Sequence, residues 1–141
     1  RLEAAAHDLT NVRFVDFQPA ERLSEVLASA DIHLVLLHEG LAAASVPSKM
    51  YSILAAGRPI LASVDRGTEV QRTLETSNGG IATDAGDTDG FHRGLGLLIE
   101  QRQRREEMGT AAREWVEQWH APRQVAEQYL ALFAAVQGAQ K

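Results

Sequence analysis

Short apolar runs that alternate with amphipathic segments predict an α/β chain built on a parallel, doubly wound sheet. Two runs carry most of this reading. Ile32-His33-Leu34-Val35-Leu36-Leu37 and Ile60-Leu61-Ala62-Ser63-Val64 have the length and apolar content of strands covered on both faces. The third observation is what lies between and around them. Leu23, Val26, Leu27 and Ala30 recur at i, i+3, i+4 and i+7, which places them on one face of a helix.

The elements follow in order. Residues Arg1 to Leu9 read as helix from the first position, without a cap or an initiator Met, so the chain is expected to be a piece of a longer protein. Val12 to Phe17 alternates apolar and polar and predicts a strand. Pro19 suits the first turn of the helix that carries Leu23 to Ala30. After the strand at 32–37, the small residues of 38–46 predict a loop.

Val46-Pro47-Ser48-Lys49-Met50-Tyr51-Ser52-Ile53-Leu54-Ala55-Ala56-Gly57-Arg58-Pro59-Ile60 then reads as loop, short helix, glycine stop and strand. Ser48 is expected at the N-cap, its hydroxyl accepting from an unpaired N–H one turn on. Gly57 ends the helix in a left-handed conformation and Pro59 prevents continuation. A helix entry beside the ends of parallel strands aims free N–H groups and a positive dipole end at one spot, which suits an anion such as a diphosphate, and Lys49 adds a mobile charge. The plainer reading of this stretch is a crossover helix with a solvated lysine.

Glu69 to about Thr76 predicts a short helix closed by Asn78-Gly79-Gly80, Ile81 to Thr83 a last strand, and Asp84 to Asp87 a turn. The last third is helical. Phe91, Leu95 and Leu98 face inward from one helix, which Gly94 and Gly96 weaken. Met108, Ala112, Trp115, Val116 and Trp119 stripe the next, and Val125, Tyr129, Leu132, Phe133 and Val136 the last, with the break between them at His120-Ala121. Such stripes are expected to be core, not a cofactor box. The whole, residues 1–141, reads as one domain, with alternating strands and helices over about 1–84 and helices over about 87–138.

Composition narrows the function. Fourteen basic against 19 acidic side chains leave a net charge of −5, which argues against a nucleic-acid surface. The chain has no cysteine, so a disulfide framework and a thiolate metal site are excluded. Its five histidines include no pair at metal-ligand spacing, so no protein-bound metal is expected. No run is long and apolar enough to cross a bilayer.

The run Pro47-Ser48-Lys49-Met50-Tyr51-Ser52-Ile53-Leu54-Ala55-Ala56-Gly57-Arg58-Pro59-Ile60 resembles the C-terminal-domain signature of retaining glycosyltransferases of the GT-B fold. The similar branch carries Pro-Ser-Lys-x-Tyr-Glu-x-x-Ala-x-Gly-x-Pro and includes bacterial enzymes of surface-polysaccharide synthesis (group 1, or family 4, type). Asn11 to Phe14, Leu23 to Leu37, Asp65-Arg66-Gly67-Thr68-Glu69-Val70, Gly80-Ile81-Ala82 and Gly86-Asp87 support the likeness. It implies a Rossmann-like parallel sheet with flanking helices and a helical C-terminal tail, the C-terminal half of a GT-B fold with its first two strands missing.

In the family those strands lie between the one near Val12 and the one near Ile32, so their loss implies an apolar gap. Direct pairing of the two remaining strands, or another chain (a homodimer through the exposed sheet gap), would fill it. The final helices of the family brace the N-terminal domain, so Trp115, Trp119 or Tyr129 are expected to be more exposed here.

The resemblance implies an enzyme: the donor-binding domain of a transferase that moves a sugar from a nucleotide diphosphate sugar to an acceptor, with no cofactor. The isolated piece is expected to be inactive, because the family's basic residues for the departing diphosphate come largely from the missing strands. It implies a cytoplasmic protein, peripheral at the inner face of the membrane at most, partnered by the N-terminal domain of the same polypeptide.

Pro47, Ser48, Lys49 and Ser52 fall on the nucleotide-binding helix. Many members carry two glutamates eight residues apart in the loop and on this helix; here those positions are Ala44 and Ser52. A carboxylate can accept both hydroxyls of a ribose diol, whereas Ser52 can make one hydrogen bond. Glu39 and Gly40 lie earlier in the loop, where Glu39 reads either as a solvated carboxylate or as a contact to the sugar. Glu69 reads either as a helix-dipole carboxylate or as a ligand contact. His33 is expected to be a satisfied core residue, while His38 sits at a strand's carboxyl end, where parallel sheets bind ligands. His7, His92 and His120 read as surface positions.

Two other functions fit an α/β chain. One is a nucleotide-sugar epimerase of the same fold, against which the Pro-Ser-Lys helix argues. The other is a nonenzymatic interaction module of the receiver type, which needs clustered acidic residues where Asp16 stands alone and a lysine after the last parallel strand.

Overall fold

Strand pairing organises the molecule. The computed structural model describes residues 2–40 and 48–138. Among them, β1 (His33–Leu36), β2 (Ile60–Val64) and β3 (Gly80–Asp84) form one parallel sheet in that order. The register sets His33 beside Ile60 and Ile60 beside Gly80. Helices α1 (Leu2–Ala5), α2 (Leu23–Ser29), α3 (Lys49–Ala55), α4 (Glu69–Ser77), α5 (Thr88–Glu100), α6 (Arg102–Trp119) and α7 (Pro122–Gly138) complete the chain. This is the α/β, Rossmann-like class that the alternating pattern predicts.

Successive strand residues point to opposite faces, so β2 builds two cores. Ile60, Ala62 and Val64 pack with Met50, Ile53 and Leu54 of α3, Val70 and Leu74 of α4, and Ala112 and Val116 of α6. Leu61 points the other way, to α5. A Cβ built on Gly94 of α5 would stand 2.9 Å from Leu61 Cδ1. Gly94, which weakens α5 as a helix, thus allows its axis to approach the sheet.

Each helix boundary has a local cause. In α3 the Gly57 N–H donates to the Leu54 carbonyl and the Arg58 N–H to that of Ile53, with Gly57 at φ +69°. That is the pair of bonds that closes a helix on a left-handed glycine. Thr68 caps α4 by accepting from the Gln71 N–H at 3.2 Å, and Asp87 caps α5 by accepting from Gly90 at 2.9 Å. Arg105 donates to the Leu98 and Ile99 carbonyls at the end of α5.

Four expectations are corrected. Val12 to Phe17 forms no strand: with no neighbour strand to complete its hydrogen bonds, an isolated extended segment leaves its backbone to water. Phe17 is 96% exposed, and of the two expected ways to fill the gap, direct pairing with the strand at 32–37 does not occur among the described residues. β1 is not covered on both faces. Leu34 and Leu36 are 51% and 63% exposed, because they share the face of Leu61 and α5 packs mainly on β2 and β3.

The helix expected from the start of the chain to Leu9 is limited to α1 and a following turn, with no buried side chain to hold it. Finally, among the described residues no side chain of α7 is buried, so its Tyr129, Leu132, Phe133 and Val136 stripe is not core. The helix packs on α6 alone among its larger contacts, and an amphipathic stripe does not reveal what it packs against. Trp119 is half exposed as well.

Candidate functional site

Parallel strands deliver their carboxyl ends to one edge of a sheet, where the following loops meet. Here that edge gathers His38, Glu39 and Gly40 after β1, Asp65 to Thr68 after β2, and Ala85 to Asp87 after β3. The first turn of α3, with Ser48, Lys49 and Ser52, starts beside them because α3 runs back toward the amino end of β2. Pro47, with Ala44, lies outside the described residues.

The loops are tied to one another by charge-assisted hydrogen bonds. The Gly40 N–H donates to Asp65 Oδ2 at 2.9 Å, so a carboxylate after β2 fixes the backbone after β1. Gly40 is at φ +83°, a conformation that glycine adopts without the steric cost other residue types meet. Arg66 donates from Nε to both Asp84 carboxylate oxygens at 2.8 Å, linking the ends of β2 and β3. The hydrogen bond from Arg66 holds the Asp84 carboxyl below its usual range, and Asp84 in turn raises the guanidinium.

The expected site residues separate into two groups. Ser48 and Lys49 are exposed and Ser52 half-buried, and none of their side chains has a hydrogen-bond partner among the described residues. Ser48 occupies the N-cap position but does not cap α3. Its backbone is itself helical, at φ −54° and ψ −29°, whereas a capping side chain needs an extended backbone. Its hydroxyl is therefore left for other partners. With seven residues, α3 also has little dipole to offer, which leaves Lys49 and the first-turn N–H groups as its anion-facing chemistry.

Glu69 is turned back on its own helix: its carboxylate accepts from Arg72 at 3.3 Å and from the Thr73 hydroxyl at 3.5 Å. Glu39 and His38 are exposed at the same edge. His33 behaves as a satisfied residue, half-buried with Nε2 2.8 Å from the Leu27 carbonyl oxygen.

Sequence reasoning passed over Asp65, Arg66 and Asp84 as site residues. Their signal was present: Asp65 and Asp84 each directly follow a run that reads as a strand, and Arg66 comes next after Asp65. His120 was expected at the surface. It is half-buried, with its ring 4.1 Å from that of Trp115 and 5.1 Å from that of Tyr51.

A polar cavity of about 540 Å³ opens at the opposite edge of the sheet, lined by Asp31, Arg58, Arg102, Arg105, Glu106 and Thr110. Its size does not make it the better candidate. Arg102 is already paired with Glu106 at 2.8 Å, and Arg105 is committed to the end of α5. The carboxyl edge instead presents a lysine and two serines without such commitments on one turn, whereas of the cavity's three arginines Arg58 alone has no side-chain partner among the described residues. Among the described residues, no cluster of His, Asp and Glu has the arrangement of a metal site. No described helix is long and apolar enough to cross a membrane.

Comparison with known proteins gives the family. Residues 3–131 match the family described as glycosyl transferase-like. Over 135 residues, 92% of the chain, it is 29% identical to the Escherichia coli K12 protein named "Putative colanic acid biosynthesis glycosyl transferase WcaI", of which it covers 32%. Over 49 residues, 35% of the chain, it is 45% identical to the Pseudomonas aeruginosa protein named "Probable glycosyltransferase WbjE", of which it covers 12%. The chain thus spans a third or less of the length of these relatives. No solved structure matches it significantly.

Proposed function

The chain belongs to the glycosyl transferase-like family, and from that premise we propose that it is the donor-binding domain of a glycosyltransferase of bacterial surface-polysaccharide or glycolipid synthesis. The substrate is a nucleotide diphosphate sugar, whose sugar passes to an acceptor held mainly by parts of the polypeptide outside these residues. One observation carries the assignment of the site. The Pro-Ser-Lys helix starts at the carboxyl edge of the parallel sheet, with Lys49, Ser48 and Ser52 uncommitted, beside loops that Asp65 and Arg66 hold in place.

The chemistry follows from those groups. Lys49 and the first-turn N–H groups face the diphosphate, where preorganised donors stabilise the charge that develops as the diphosphate departs. Ser52 donates or accepts one hydrogen bond at the ribose. Glu39 and Gly40 border the sugar, with the Gly40 backbone pinned by Asp65. His38 and Glu69 flank the same crevice. Pro47, which precedes Ser48 in the sequence, belongs to the proposed donor site on the family signature alone.

The chain alone is proposed to bind donor without turning it over, because among the described residues Lys49 is the uncommitted basic side chain that this edge offers a departing diphosphate. Titration with UDP, GDP and ADP, followed through the amide shifts of Ser48, Lys49 and Ser52, tests the binding half. Saturable shifts with one nucleotide are expected and would name the base; no response to any of the three would overturn the site. Product formation by the isolated chain from activated donors would overturn the claim of inertness.

A further inference from the structure

We infer that His120 is a positioning residue for the first turn of α3, acting through the ring of Tyr51. His120 sits at the joint where α6 ends and α7 begins, its N–H closing α6 on the Val116 carbonyl at 2.8 Å. Its imidazole lies between two aromatic rings of different helices. Trp115 of α6 stacks on it at 4.1 Å and 29°, and Tyr51 of α3 at 5.1 Å and 27°. Trp115 and Tyr51 also pack against the main core, so the stack is anchored at both ends.

Among the described residues, His120 Nδ1 is buried without a hydrogen-bond partner. A histidine retained for a hydrogen bond would have one, since a lone buried polar atom is unfavourable. What the ring supplies here is a flat aromatic surface of the right thickness. Tyr51 lies between Lys49 and Ser52 in α3. Moving its ring rotates or translates the turn that carries both. α3 is short: Met50, Ile53 and Leu54 hold its buried face in the core, and Tyr51 is the contact that fixes it on the His120 side.

That the turn holds a donor rests on the function proposed above; that His120 positions it does not. Amide hydrogen exchange on the whole chain separates the two. In α3 the Ile53 and Leu54 N–H groups bond the carbonyls four residues back, those of Lys49 and Met50, and so report opening of the first turn. In His120→Ala these two amides are expected to exchange about tenfold faster, with the Leu98 amide in α5 unchanged. His120→Phe, which keeps the ring and drops the unpartnered nitrogen, is expected to restore wild-type exchange to within about twofold.

Acceleration that extends equally to Leu98 would mark general destabilisation and overturn the inference. So would unchanged exchange in His120→Ala, or failure of Phe to rescue. The same variants titrated with UDP, GDP and ADP give the second readout. Weaker binding in His120→Ala, restored by Phe, extends the positioning role to the donor. If the wild-type chain binds none of the three, the donor reading fails, while the exchange result still decides the role of His120.

Discussion

Gly109 of α6 lies so close to Gly57, at the turn between α3 and β2, that a Cβ on Gly109 would run into the Gly57 carbonyl oxygen. Two glycines far apart in sequence therefore set how near α6 comes to the strand that carries the core. Replacing Gly109 by Ala is expected to destabilise the chain by about 1–3 kcal/mol, the usual result of overpacking against backbone. Gly96, in α5, faces open space and supplies the control. There, Ala should stabilise by about 0.5–1 kcal/mol through the lower entropy of the unfolded chain. Urea unfolding of the two variants checks both signs.

The uncovered edge of the sheet predicts a contrast between two leucines of one face. Leu61 is fully buried under α5, and Leu61→Ala should cost about 2–5 kcal/mol. Leu36, on the same face but beyond α5, should tolerate Ala to within about 0.5 kcal/mol. Equal losses in thermal unfolding would show that the outer face of β1 is covered in solution.

The Arg66–Asp84 pair makes stability depend on acid. Asp84 has its folded pKa lowered, chiefly by the hydrogen bond from Arg66. A lowered folded pKa favours the folded state above the unfolded value, near pH 4, and the contribution is lost as pH falls through the folded value. Both groups are exposed, so the effect is small and weakened by salt. Comparing urea midpoints at pH 6 and pH 3 should show a slightly smaller acid loss for Arg66→Met than for the parent chain. At high salt that difference should disappear.

Lys49 and Ser52 are expected to differ in what they contribute to nucleotide binding. A charge-assisted hydrogen bond is worth about 1.5–3 kcal/mol, so Lys49→Ala should weaken binding of the preferred nucleoside diphosphate by about tenfold or more. A single neutral hydrogen bond is worth about 0.5–1.5 kcal/mol, so Ser52→Ala should cost about two- to tenfold. Calorimetric titration measures both. A Ser52→Glu variant that binds more tightly would show that the ribose lies against this position.

Much of this fold was legible in residue order. The apolar run of β2, the Gly57 stop, the α4 boundaries and the break before Pro122 depend on neighbours within a few positions, and each appears where periodicity and turn chemistry place it. The family was legible too, because its signature is a continuous stretch around Lys49. Ser48 failed as a cap because capping depends on its backbone angles, which residue type does not specify.

Residue order by itself therefore determined the α/β class, the strand at Ile60–Val64, the boundaries of α4, the break before α7 and the family of the chain, since these rest on local periods and short motifs. Tertiary structure decided which apolar stripes become core. Val12 to Phe17 and α7 have patterns as good as those of buried elements, yet remain exposed, because burial requires a facing surface and a pattern does not supply one. It also decided which charges meet, bringing Asp65 to Gly40 across 25 positions and Arg66 to Asp84 across 18, and it placed His120 between two rings. Those contacts depend on how parallel strands bring distant loops to one edge, and no short-range pattern encodes that.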